Sequence, residues 1–293
     1  MRPGTFEYHR PGSVDEAVEM LGTLENARPL AGGQSLVPMM NFRYGQFDHL
    51  VDLNRIPDLS GVTLEPHTVR IGAMTRQVAM QEHSDLATRM PVVISALSNI
   101  GHIATRNRGT IGGSLSHLDP AAELLAMTAL HDGVMTIHSR DGERRVGIED
   151  YVQGYMTPAM QEGELLTAVE WSCWDGPHGW AFQEFARRHG DFAIAGVAAL
   201  MGFDPAGRIS RVALTVFGLG PAPVRLRAAE SMMKEELPDA ALFDSVAEDA
   251  AMIEAMDDAL VTGKYRRRLA RVLTRRVLDQ AADQAGRAGH ERS

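Results

Sequence analysis

The sequence predicts an α+β protein of two regions. Three observations point there. Two glycine-centred turns in the first 120 residues each lead into a helix. Helical and strand patterns alternate up to about residue 175, as in small α/β units. Past a turn-rich stretch, Trp174-Asp175-Gly176-Pro177-His178-Gly179, strands come first and helices follow, which suggests a separate α+β domain. A chain of 293 residues buries a sizeable core and has room for such units.

The elements follow in order. Ser13-Val14-Asp15-Glu16 is a capping-box pattern opening a helix, with Gly22 as its expected end. Pro29-Leu30-Ala31 reads as a short strand entering the first glycine turn, Gly32-Gly33-Gln34-Ser35. Residues 36–42 read as a helix with Pro38 in its first turn, and residues 49–53 as a strand. This first unit ends near residue 55. In the second unit, residues 68–73 alternate as a strand, and Thr75 and Ser84 read as N-caps. Residues 91–100 form an apolar helix opened by proline. The second glycine turn, Arg108-Gly109-Thr110-Ile111-Gly112-Gly113-Ser114, reads as an extended segment, a turn and a helix start. A helix over 121–130 and strands over 134–138 and 165–171 complete the unit. Beyond the boundary, strand-like runs at 181–185, 192–203 and 209–217 precede helical segments at 228–235, 240–256 and 264–285.

Composition excludes several classes of function. Net charge is −9, from 29 Lys and Arg against 38 Asp and Glu, with no dominant basic block. Nucleic acid is therefore not an expected partner. Cys173 is the only cysteine, which rules out an intramolecular disulfide and a four-cysteine iron–sulfur site within the chain. No stretch has the length of a transmembrane helix, and residues 1–6 lack a signal-peptide core, so no membrane insertion and a cytoplasmic location are expected.

The glycine turns carry the chemistry. Glycine lets backbone N–H groups approach a ligand closely, and a helix N-terminus favours an anion. One such turn can cradle a phosphate; two suggest a pyrophosphate, hence a dinucleotide. Neither turn matches G-x-G-x-x-G with its later acidic residue, and neither has the lysine of a P-loop. Gly218-Leu219-Gly220 runs into Pro221 and reads as a structural turn. Asp119 and Glu123 lie at i,i+4 spacing after the second turn, placed either to offset a helix dipole or to accept hydrogen bonds from ribose or adenine. No second His, Asp or Glu cluster stands close to His117 and Asp119, so no metal site is expected. Asp191-Phe192, in Arg187-Arg188-His189-Gly190-Asp191-Phe192-Ala193, is a polar turn or a cover for a flat ring. No G-x-S-x-G is present and Cys173 has no activating partner in sequence, so no catalytic nucleophile is expected.

Taken together, these stretches resemble the FAD-binding medium subunit of the molybdenum hydroxylases, a family that includes xanthine, aerobic carbon monoxide, nicotine and caffeine dehydrogenases. The resemblance runs from Phe6-Glu7-Tyr8-His9-Arg10-Pro11, through both glycine turns and Asp119-Pro120-Ala121-Ala122-Glu123, to Gly190-Asp191-Phe192 and Tyr265-Arg266. It implies an FAD-binding PCMH-type domain over 1–175, with subdomains 1–55 and 56–175, and a C-terminal flavoprotein domain over 178–285. It implies that Gly32, Gly33, Gln34 and Ser35 wrap the FAD diphosphate from one side, with Thr110, Gly113 and Ser114 on the other. Ile100 and Gly101 fall against the flavin, Asp119 and Glu123 at the nucleotide half or ribityl chain, and Leu165 at a backbone contact to adenine or flavin. Asp191 and Phe192 fall over the isoalloxazine ring. Leu30, Ala31, Val37, Thr105, Gly109 and His117 complete the implied cofactor-binding set.

The same resemblance implies a large partner subunit with a molybdenum–pterin cofactor, a small partner with two two-iron two-sulfur clusters, and a dimer of such heterotrimers. This chain would then transfer electrons without acting on the organic substrate. Two other readings remain at this level: a self-contained flavin oxidoreductase and a flavin-free scaffold. Ser114 replaces an asparagine common after the glycine pair, and Gln183 stands where xanthine dehydrogenases carry a lysine. No cysteine-bearing insertion is present, unlike in relatives with an extra cluster.

Overall fold

The computed structural model describes residues 2–290. Its first unit is a three-stranded parallel sheet with Glu7–His9 and Ala27–Leu30 on either side of His49–Asp52. Helix Val14–Thr23 covers it, burying Ala17, Val18 and Leu21 against Val51 and Leu53. Ser13 caps this helix by accepting from the Glu16 N–H at 3.1 Å, while Glu16 reaches the N–H of Gly12. Gly22 does not end the helix. It lies inside, and the chain turns at Asn26, whose φ is 55°.

The second unit is a five-stranded antiparallel sheet, ordered Val62–Leu64, Thr68–Gly72, Leu165–Ser172, Val134–Ser139, Gly142–Gly147. Helices Pro91–Asn99 and Glu123–Leu130 pack with it. Every residue of Glu123–Leu130 is buried, because this helix is covered on all sides, including by the third sheet. The third unit is a four-stranded antiparallel sheet: Gly179–Phe185, Ala195–Phe203, Ile209–Phe217 and Val224–Arg225. Helices Ala240–Ala251 and Gly263–His290 cover one face. The other face sends Phe182, Ala198, Leu200, Ala213 and Phe217 into the core of the second unit. A sheet buried on both faces explains why its strands read as nearly unbroken apolar runs. Among the described residues, no helix is long and apolar enough to cross a membrane.

Three local expectations fail, in whole or in part, for physical reasons. Thr75 and Ser84 are not caps. The Thr75 hydroxyl bonds to the backbone of Gly61, and the second of these helices is capped by His83, whose Nδ1 accepts from the Leu86 N–H. The extended segment entering the second glycine turn is present but short, Gly109 and Thr110 only, with helix Ile103–Arg108 before it and a single bridge joining Thr110 to Arg76. The strand expected from residue 192 begins at Ala195, which leaves Phe192 in a loop.

Candidate functional site

The two glycine turns touch. A Cβ on Gly32 would collide with the Arg108 carbonyl and lie 3.0 Å from the Gly109 Cα, so only glycine allows the first loop this close to the second. A Cβ on Gly113 would stand 3.5 Å from that of Ala31. Gly33 has φ of 74°, which turns the chain from the strand ending at Leu30 into helix Leu36–Asn41. Val37 sits on the exposed first turn of that helix.

The loops differ in what they offer a ligand. The N–H groups of Gly32, Gly33, Gln34, Ser35 and Leu36 have no hydrogen-bond partner among the described residues, although Gly32 is buried. The Ser35 hydroxyl caps nothing. Unpaired donors converging at a helix start form an anion cradle. In the second loop most donors are committed. The N–H of Gly109 bonds to Thr105, that of Ile111 to Thr75, that of Gly112 to Ala73 and that of Ser114 to Thr110. The Gly113 N–H bonds to the Thr110 hydroxyl at 3.0 Å. Thr110 still has its own proton to donate.

A polar brace joins the loops, and the sequence reading missed it. Asn54 donates to the Ala31 carbonyl at 3.1 Å. The Arg76 guanidinium donates to both the Asn54 side chain and the Arg108 carbonyl. Asp52, buried at the end of the central strand, accepts from Tyr8 and Asn54. Burial would raise its carboxyl, but these hydrogen bonds outweigh that and hold it below the usual carboxylate range. The available signal was topological: parallel neighbouring strands end on the same side, so Asn54 emerges beside Ala31.

A second cluster forms where the third unit meets the second. Arg106 donates to the carbonyls of Ile100 and Gly101 at 2.8 and 3.2 Å and holds that turn. The Thr105 side chain lies over Gly101, whose φ is 46°. Gly190, with φ of 85°, comes so close that a Cβ there would lie 2.8 Å from the Gly101 carbonyl oxygen. This brings Asp191 and Phe192 to the Ile100–Gly101 turn. Asp191 pairs with Arg188 at 3.3 Å, and the Phe192 ring is 64 % exposed, an aromatic face with little of the chain against it.

The acidic positions are enclosed. Leu118, left-handed at φ 56°, turns the chain so that Asp119 accepts from the Ala121 N–H at 2.8 Å. Half-buried His117 has its imidazole pKa lowered by burial, with Asp119 opposing. Glu123, buried at the start of its helix, is pushed up to about 8 by burial and then by the neighbouring Glu184 carboxylate. Burial pushes Glu184 up to about 7, and its Oε2 is buried with no hydrogen-bond partner among the described residues. Glu184 lies on strand Gly179–Phe185, on the face that sends Phe182 into the core of the second unit. Gln183 points the other way and bonds to Gln280 of the C-terminal helix, so Glu184 is the residue of this strand that meets the site. Leu165 stands apart. Its side chain is packed with Val18, Leu53 and Met74, leaving only its backbone for the contact expected of it.

The two raised carboxyls give a pH prediction. Each keeps its proton in the folded chain to a higher pH than in the unfolded chain, so folding stability falls as pH rises from about 4.5 through about 8. Buried His131, lowered by burial to about 4, acts oppositely, and its contribution is lost as pH falls from 6.5 through 4. Glu184→Gln is expected to raise the melting temperature of the cofactor-free chain at pH 8 and to change it far less at pH 4, below both values. Equal shifts at both pH values would show that folding does not raise the Glu184 carboxyl.

Paired glycine loops with open donors beside an exposed ring suit a bound dinucleotide, and the comparisons with known proteins define the class as a subunit of an FAD-dependent oxidoreductase. A family model described as FAD binding domain in molybdopterin dehydrogenase matches residues 4–171, and one described as CO dehydrogenase flavoprotein C-terminal domain matches residues 180–281. The chain is 34 % identical over 289 residues to the 6-hydroxypseudooxynicotine dehydrogenase complex subunit alpha of Paenarthrobacter nicotinovorans, covering 97 % of each chain. A structure of reconstituted CO dehydrogenase from Oligotropha carboxidovorans superposes with a TM-score of 0.94 at 33 % identity, covering 97 % of this chain and 100 % of the other. Quinoline 2-oxidoreductase from Pseudomonas putida 86 gives 0.92 at 31 % identity, covering 97 % and 99 %. The chain belongs to the family of FAD-binding medium subunits of the molybdenum hydroxylases.

Proposed function

We propose that this chain takes electrons from two-iron two-sulfur clusters on a small partner subunit and passes them, through FAD, to an external acceptor. The observation that carries the reading is the row of unpartnered N–H groups from Gly32 to Leu36 pressed against the second glycine loop. Bound FAD supplies the electron-accepting and electron-releasing chemistry; everything else here is positioning. The donors of Gly32, Gly33, Gln34 and Ser35, with the Ser35 hydroxyl, hold the diphosphate. Thr110 donates from the far side, with Ser114 beside it. Gly109 and Gly113 contribute the absence of a side chain, since their own N–H groups are committed within the chain. Leu30, Ala31 and Val37 shape the wall of the first loop. Ile100, Gly101 and Thr105 flank the flavin, Asp191 and Phe192 cover it, and His117, Asp119, Glu123 and the Leu165 backbone line the ribityl and nucleotide portions. The corresponding domains are 1–175 and 178–285.

The same reading places a molybdenum–pterin cofactor on a large partner subunit, where the substrate is selected and hydroxylated, and assembles the three chains as a dimer of heterotrimers. With Cys173 as its only cysteine, this chain leaves the iron–sulfur clusters to the partner. The test is the visible spectrum of the full chain after incubation with FAD, alone and co-expressed with cluster-bearing partners. Stoichiometric flavin absorbing near about 450 nm, as expected of a protein-held flavin, supports the proposal. Failure to take up FAD under both conditions overturns it. Phe192→Ala is expected to keep FAD and change its reoxidation rate by about tenfold, corresponding to ~1.4 kcal/mol of differential interaction. An unchanged rate measured by stopped flow would remove Phe192 from the ring.

A further inference from the structure

A second cluster of ligating groups lies outside the cofactor site, at the edge of the parallel sheet. Glu7 and His9 stand two apart on the first strand, and the parallel register sets His49 opposite Glu7. All three side chains therefore leave the same face of the sheet. His9 Nε2 lies 3.1 Å from His49 Nδ1. A Glu7 carboxylate oxygen lies 3.5 Å from His49 Nδ1 and 3.9 Å from His9 Nε2. The two rings are tilted by 48°, so their nitrogens converge rather than their faces stacking.

One hydrogen bond between the imidazoles accounts for the first of these distances only. It leaves Glu7 too far from either ring for a good hydrogen bond. A tetrahedral ion accounts for all three. With metal–ligand bonds of about 2.0–2.2 Å, the edges of such a tetrahedron are about 3.3–3.6 Å, between the shortest and longest separations here. Two imidazoles and one carboxylate suit zinc and its first-row neighbours better than calcium or magnesium, which prefer all-oxygen shells. Three protein ligands leave a fourth position for water. The imidazoles are largely buried, with side-chain exposures of 23 % and 20 %, while Glu7 opens to solvent at 74 % and gives an entry path.

The geometry points to a divalent transition-metal site of the zinc class formed by Glu7, His9 and His49, which clamps the first strand onto the central one. No metal was expected from the sequence, because His9 and His49 are 40 residues apart and meet only through strand pairing. The clamp has a neighbour of consequence: Tyr8, between the two ligands of the first strand, bonds to Asp52 and so to the brace under the first glycine loop.

The test uses the untagged full chain, stripped with a chelator and titrated with zinc alone by calorimetry, then with cobalt as a spectroscopic stand-in. Expected are one zinc per chain, a higher melting temperature with metal, and visible cobalt bands of tetrahedral intensity. His9→Ala and His49→Ala should each abolish this uptake while FAD uptake is retained, and Glu7→Gln should weaken it at least about tenfold. If either histidine variant fails to fold, the cobalt spectrum of the unaltered chain still decides. Uptake undiminished in the histidine variants, or cobalt without tetrahedral bands, would overturn the site and leave a hydrogen-bonded histidine pair only.

Discussion

Gly32→Ala is expected to leave a folded chain that binds FAD at least about a hundredfold more weakly. The added methyl would run into the Arg108 carbonyl, which is backbone and is itself held by the Arg76 guanidinium. The first loop must then lift away from the second. The donors of Gly32 to Ser35 move with it, and a diphosphate can no longer meet both walls. Hydrogen bonds to a charged group contribute about 1.5–3 kcal/mol each. Losing two costs roughly 3–6 kcal/mol, or about 10²–10⁴ in Kd. Fluorescence titration with FAD measures this directly, and circular dichroism checks the fold. Binding within a factor of about three of the parent would show that the loops need not touch to hold the cofactor.

Arg225→Ala is expected to produce the largest loss of stability. Arg225 is 10 % exposed and pairs with Glu230, itself 11 % exposed. It also donates to the carbonyls of Ala129 and Leu130, at 3.0 and 2.9 Å, and to Asp132. It thus ties the third sheet to the last turn of helix Glu123–Leu130, where a positive charge also complements the helix dipole. Removing it leaves the buried Glu230 carboxylate with only the Leu214 N–H and frees two carbonyls. Breaking a buried pair by deleting one partner costs about 3–5 kcal/mol, which lowers the melting temperature by roughly 10 °C in a chain of this size. Lysine keeps the charge but not the fork, so Arg225→Lys should recover part of the loss. Thermal melts at neutral pH test both. A drop under about 1 kcal/mol would mean that the strut is solvated.

The glycine turns of the candidate site were legible because their backbone geometry is local. Gly32, Gly33 and Ser35 form one turn, and a helix start with open N–H groups depends on consecutive residues alone. The capping of helix Val14–Thr23 by Ser13 was legible for the same reason. Thr75 and Ser84 misled because any threonine or serine before an apolar run looks like a cap, and only the approach of Gly61 reveals that the Thr75 hydroxyl is already occupied. Glu184 was not among the expected site residues, although its neighbour Gln183 stands at the position where xanthine dehydrogenases carry a lysine. On a strand, neighbours face opposite ways, and which face meets the first domain depends on how the sheet is packed.

Legible in the sequence alone were the family, most of the helices and strands though not Glu7–His9, Val62–Leu64, Gly142–Gly147 or helix Ile103–Arg108, the two glycine turns, and the exclusion of an iron–sulfur site with four cysteines from this chain. The family rests on the resemblance of whole motifs; the rest follows from short-range rules: glycine conformation, alternation, residue counts. Tertiary structure alone decided that the two turns touch, that the first offers open donors while the second spends most of its own, and that Asn54 and Arg76 brace them. It also decided that Glu123 faces Glu184 and that Glu7, His9 and His49 converge. Each of these depends on distances between residues far apart in the chain, which strand register and sheet packing set and local sequence does not encode.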